Sequence, residues 1–100
     1  MYRPRPGREE DAVPHFREEV AALRSRGHIT NRPAPICRTA RGEYLIVIEW
    51  ATETAVDDAH ADEVILEVWR RKEQLVEYLA PADLERSDVP FASYDVLEDA

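Results

Sequence analysis

The chain is poor in several residues at once. Its 100 residues hold one cysteine, one methionine, two phenylalanines and three glycines. A lone Cys37 excludes an internal disulfide framework and suits a reducing compartment, so a cytoplasmic location is expected. There is no glycine-rich phosphate loop, no Gly-x-Ser-x-Gly and no Cys-x-x-Cys, which removes the common nucleotide, hydrolase and thiol-redox signatures. The longest unbroken apolar run is Tyr44–Ile48, against the roughly 20 residues a membrane helix requires. The opening Met-Tyr-Arg-Pro-Arg-Pro-Gly has no apolar stretch behind its charges, so no secretory signal is expected. Bases are outnumbered, 13 to 21, for a net charge of −8. That balance argues against nucleic acid, whose binders need a basic surface.

What is present describes one globular domain. The hydrophobic fraction is 44% and the charged fraction 34%, ordinary for a folded soluble chain and too apolar for a disordered one. The charge is uneven: residues 1–50 carry nine bases and seven acids, residues 51–100 four bases and fourteen acids. The acidic half reads as a solvated surface, not as a partner site.

Hydrophobic periodicity sets the element order. Met1–Arg5 reads as a short extended segment containing Pro4, ended by Gly7. From Arg8 to Arg26, Val13, Phe16, Val20 and Leu23 recur at helical spacing. Glu9, Glu10 and Asp11 suit that helix's positive end, and Arg24 and Arg26 its negative end. Pro14 requires either a kink or a start near Ala12. His28–Thr39 reads as loop then strand, with Pro33 and Pro35 favouring a sheet edge. Ala40–Glu43 reads as a turn around Gly42.

Tyr44–Ala51 is the clearest strand. Tyr44, Ile46, Ile48 and Trp50 point one way, and Leu45, Val47, Glu49 and Ala51 the other. Thr52 and Thr54 are candidate caps for a short helix to about Ala61. A longer helix follows from Asp62 to Leu79, its apolar stripe formed by Ile65, Val68, Trp69, Leu75, Val76 and Leu79. Arg70, Arg71, Lys72 and Glu73 are expected on its wet side. Ala82–Pro90 reads as loop and Phe91–Leu97 as a last strand.

Strand, helix, strand, strand, helix, strand is the ferredoxin-like split βαβ plan, an α+β fold. It implies a four-stranded antiparallel sheet with two helices on one face. Tyr44–Trp50 is apolar on both faces, and the helices cover only one. The other face is therefore expected to be covered by a second copy, giving a homodimer with sheets packed face to face. The natural pocket lies between the sheet and its cover.

The segment Glu49-Trp50-Ala51-Thr52-Glu53 through Ala59-His60-Ala61-Asp62 resembles the dimeric α+β barrel superfamily, closest to antibiotic-biosynthesis-monooxygenase-like domains and uncharacterised relatives. Pro6 to Glu10 and the Pro-Phe-Ala-x-Tyr of Pro90 to Tyr94 share in the resemblance. It implies a homodimeric barrel binding a small aromatic or polyketide-like compound, acting as a cofactor-independent oxygenase, cyclase or isomerase. Haem-degrading relatives also belong to the superfamily, but no axial histidine stands out here. The alternative is a non-catalytic ligand-binding or dimerisation module with a filled core. Only Glu49, Trp50 and His60 correspond by position. The resemblance also expects a longer central first strand than one containing Pro4, so either that strand is stunted or the natural start lies upstream.

His60, near the end of the strand that carries Glu49, is the candidate base, because histidine moves protons near neutral pH. Its bland reading is a bridge to backbone in the bend between helices. Glu49 is the candidate partner carboxylate, and its bland reading is contact with solvent or an arginine. Trp50, Trp69 and Tyr44 are candidate ligand contacts, against ordinary core packing. His15 is a further contact candidate, against a surface position. Asp57, Asp58, His60, Asp62 and Glu63 are read as a solvated acidic helix start with no second ligand cluster, so no metal and no cofactor is expected.

Overall fold

In the computed structural model, which describes residues 1–79 and 95–100, the elements are β1 (Tyr2–Pro4), α1 (Glu9–Ser25), β2 (Pro35–Arg38), β3 (Tyr44–Ile46), α2 (Ala55–His60), α3 (Glu63–Leu75), β4 (Val76–Tyr78) and β5 (Asp95–Asp99). The class is α+β, with one sheet ordered β4-β1-β3-β2-β5. Every neighbouring pair is antiparallel.

Among the described residues five strands replace the expected four, because α3 stops earlier than its apolar spacing predicts. Val76 is already extended, with φ −140° and ψ 157°. Tyr78, Glu77 and Val76 pair with Tyr2, Arg3 and Pro4. A β-branched residue with an alternating successor suits a strand, and sheet pairing overrides one more helical turn. Of the expected final strand, residues 91–94 lie outside the described residues, as do the expected loop at 82–90 and Pro90 to Tyr94; β5 occupies Asp95–Asp99.

The prolines are accommodated locally. Pro14 sits inside α1, which begins at Glu9 and not near Ala12. Pro4 closes β1, and pairing of β1 with β3 is confined to Tyr2 opposite Tyr44. The missing Pro4 N–H therefore interrupts nothing on that side. Pro35 opens β2, which lies between β3 and β5 and is not the expected edge. A register irregularity follows at Ile36/Cys37, and a first-residue position is where an inner strand tolerates proline. The turn after β2 is as expected: Gly42 has φ +85° and donates its N–H to the Thr39 carbonyl at 3.0 Å.

β3 is shorter than the expected Tyr44–Ala51. Beyond it the chain runs beside His28–Thr30, where Thr30 N–H donates to the Glu49 carbonyl and Ala51 N–H to that of His28. Tyr44, Ile46, Ile48 and Trp50 share one face, and this is the face the helices bury. Phe16 and Ala12 of α1 and Leu75 of α3 pack with Ile36 and Tyr44. Val20, Leu23, Ala59 and Ile65 pack around Ile46, Ile48 and Trp50. On the opposite face Cys37 lies across from Leu45 on one side and Val96 on the other. There Val47 is 50% exposed and Val96 60% exposed. No helix among the described residues is long and apolar enough to cross a membrane.

The start of α3 is the best-tied junction. Asp62 is its N-cap, accepting the Val64 N–H at 3.0 Å. Asp62 also binds the Arg26 guanidinium, and accepts a hydrogen bond from His28 Nε2 at 2.8 Å. Arg26 first, then His28, hold the Asp62 carboxyl well below the usual carboxylate range. A depressed carboxyl stabilises fully above its unfolded value of 3.8 and loses that contribution as pH falls through the folded value. Asp62→Asn retains a capping side chain, so it is expected to lower the urea midpoint at about pH 7 and to converge on the parent as the buffer is taken below about pH 3. A constant gap between the two proteins across that range would show that the charge has no part in it.

Candidate functional site

Between the helix-covered sheet face and α1 and α3 lies a cleft of about 500 Å³. Tyr2 on β1, Ile48 and Trp50 after β3, and Tyr78 on β4 form its sheet side; Glu19, Leu23, Trp69 and Lys72 form its helix side. His60, the last residue of α2, completes the lining. Two smaller recesses share these walls, one of about 230 Å³ beside Tyr2, Trp69 and Lys72, the other of about 60 Å³ beside Glu19 and Leu23.

Three sequence candidates meet here: His60, Trp50 and Trp69. The His60 and Trp69 rings lie 4.8 Å apart at 57°. His60 Nδ1 is 2.7 Å from the Val56 carbonyl. A carbonyl can only accept, so Nδ1 carries the hydrogen, and in the neutral ring Nε2 carries the lone pair. This backbone contact is the bland reading of His60, and it also orients the ring. Holding one nitrogen as a donor leaves the other as a base.

Glu49 stands elsewhere. It accepts from Thr30 Oγ1 at 3.0 Å and pairs with Arg32 at 3.0 Å, half-exposed, and is not among the residues lining the cleft. Tyr44 is buried, its ring 5.3 Å from that of Phe16, and it lines a different hollow of about 440 Å³ with Arg3, Arg38 and Arg41. That hollow holds the Glu43 carboxylate, 2% exposed and held by Arg41, Arg3 and Thr39, which is a structural knot at the hairpin. His15 is buried, not on the surface, and its Nε2 donates to the Val68 carbonyl at 3.0 Å, tying α1 to α3. Among the described residues no group of three or more His, Cys, Asp or Glu is placed to hold a metal.

The carboxylate in the cleft is Glu19, which the sequence reading passed over. Its Oε2 accepts from Trp69 Nε1 and from Lys72 Nζ, each at 2.7 Å. Lys72 Nζ also donates to the Tyr2 hydroxyl at 2.9 Å and lies 4.5 Å from the centre of that ring. Both charged side chains are nearly occluded, 8% exposed for Glu19 and 12% for Lys72. Burial disfavours the Lys72 ammonium, but Glu19 and Tyr2 outweigh it, so Lys72 titrates above its ordinary 10.5.

Lys72 thus belongs to the buried side of α3, against expectation. It follows Trp69 by three residues and Val68 by four, so it shares their face. Glu19 stands at i+3 from Phe16 and precedes Val20, within the apolar stripe of α1. A charged residue inside each of two facing stripes was the available signal.

No protein-family model matches the chain, and neither the curated proteins nor the solved structures contain a significant match to it.

Proposed function

We propose that the chain is a small-molecule-binding α+β protein whose cleft takes a planar aromatic compound, with His60 Nε2 as the base at its mouth. The observation that carries this reading is the convergence of Tyr2, Trp50, Trp69 and Tyr78 on one cleft with an oriented imidazole. Aromatic walls with few polar groups are the usual make-up of a small-molecule pocket. A base there would take a proton from a phenol or an activated carbon, the step shared by oxygenase, cyclase and isomerase chemistry on such compounds. The β4-β1-β3-β2 strand order supports a ferredoxin-like plan with β5 added beside β2. It is in keeping with membership of the dimeric α+β barrels.

The chain's two tryptophans, Trp50 and Trp69, both line the cleft and serve as its reporters. Titration with naphthol is expected to quench their emission saturably. On any compound turned over, His60→Ala is expected to lower kcat by about a hundredfold. Unchanged emission at saturation would instead favour a non-catalytic module whose cleft its own side chains fill. Unchanged kcat would remove His60 from the chemistry and leave binding alone.

The same reading includes a homodimer through the other sheet face. Val47, half exposed, and Val96, more than half exposed, beside Leu45 and Cys37 support it. Sedimentation is expected to give twice the monomer mass at micromolar concentration, and Val47→Glu a monomer. A parent chain that sediments as a monomer would end the dimer reading.

A further inference from the structure

Among the described residues, the Glu19–Lys72 pair leaves hydrogen-bonding capacity unused. An ammonium has three N–H donors. Two of those on Lys72 go to Glu19 and Tyr2. Glu19 Oε2 accepts twice, while Oε1 has no partner among the described residues. No fully occluded side-chain N or O atom there lacks a partner, so Oε1 is not sealed off. The Tyr2 hydroxyl accepts from Lys72, and its own hydrogen has no acceptor among the described residues. One acceptor and two donors therefore stand together on residues that line one cleft.

Among the described residues, and apart from His60, Glu19 and Lys72 are the only formally charged side chains lining that cleft, and they cancel. The adjoining recess adds Glu73. An anionic ligand would set its charge against a buried carboxylate, and a cation would meet the ammonium. A neutral group with an acceptor beside a donor satisfies both. Stability alone gives little reason for the pair, since apolar side chains of similar volume would hold α1 to α3 about as well.

We propose that the cleft reads the edge of a neutral planar ligand carrying a hydrogen-bond acceptor beside a donor, as an aromatic carboxamide does. Lys72 and Tyr2 take the acceptor, Glu19 Oε1 takes the donor, and the ring lies among Trp50 and Trp69. This rests on the reading of the cleft as an aromatic-ligand site and adds the ligand's polar class.

Tryptophan-emission titrations with naphthamide, N,N-dimethylnaphthamide and naphthoate test it. The parent chain is expected to bind naphthamide at least about tenfold more tightly than either other probe. The dimethyl compound lacks the donor, and naphthoate carries the charge. Glu19→Gln still offers an acceptor to Trp69 and Lys72 but leaves the ammonium uncompensated. It is expected to move the naphthamide-to-naphthoate preference at least about tenfold toward naphthoate. Lys72→Gln, the second variant, is expected to weaken naphthoate further. Equal binding of the three probes, or a preference unmoved by Glu19→Gln and Lys72→Gln, overturns the ligand class and leaves the aromatic cleft standing. Failure of all three to change the emission overturns both.

Discussion

Phe16→Ala is expected to remove about 3–5 kcal/mol of folding free energy. Set against the roughly 5–15 kcal/mol typical of a whole domain, that leaves the chain marginal or unfolded. Phe16 is fully buried on α1, its ring 5.4 Å from Tyr2 and 5.3 Å from Tyr44. The three rings join β1, β3 and α1, so alanine loses both the transferred area and the close packing around the hole it leaves. The consequence reaches the cleft, because Tyr2 rests on Phe16 and presents its hydroxyl to Lys72. Phe16→Leu keeps most of the volume and is expected to cost less than about 2 kcal/mol. Urea unfolding followed by circular dichroism reads both. A loss below about 1 kcal/mol for the alanine variant would place Phe16 outside the close-packed core.

Lys72→Met is expected to cost about 3–5 kcal/mol, a large effect for a partly exposed helix, because it leaves the Glu19 carboxylate buried without its cation. Methionine fills the lysine stem's volume, so the change isolates the charge. The double variant Glu19→Gln/Lys72→Met removes both charges and keeps an acceptor for Trp69 Nε1. It is expected to recover to within about 1 kcal/mol of the parent. Strict additivity of the two single changes would show that the pair is not coupled. The pH range follows from the raised Lys72 value. A raised folded pKa gives a contribution intact below the unfolded value of 10.5 and lost as pH rises through the folded one. The deficit of Lys72→Met is therefore expected to persist across neutral pH and to narrow in strong alkali.

The double variant also separates architecture from recognition. It is expected to fold and to keep the aromatic walls, yet to lose the preference for a donor–acceptor edge. A structural pair with no part in recognition would leave probe selectivity unchanged when both charges are gone.

How much of this was legible beforehand differs by element. The α1 stripe of Phe16, Val20 and Leu23, the Gly42 turn, and the break between α2 and α3 near Asp62 all follow from residues within a few positions of each other. Helical period and glycine's positive φ are local properties, so the chain displays them before it folds. The two faces of β3 were separable for the same reason, but both are apolar, so which of them the helices bury was not. The end of α3 was not. Val76–Tyr78 continues the apolar spacing of the helix, and only the pairing of these residues with Tyr2–Pro4, more than seventy positions away, makes them a strand.

The candidate site divides along the same line. By itself the sequence placed His60 near the bend between two helices, Trp50 on one strand face with Ile46 and Ile48, and Trp69 on the apolar stripe of the longer helix. Tertiary structure alone decided which carboxylate joins them. Glu49 follows an apolar strand but turns to Arg32 and Thr30, whereas Glu19 is carried inward by the phase of α1 to meet Lys72 and Trp69 on α3. A charge on an apolar stripe is tolerable only where another element supplies its counter-charge and hydrogen bonds. That supply depends on how α1 packs against α3, which no local pattern in the chain records.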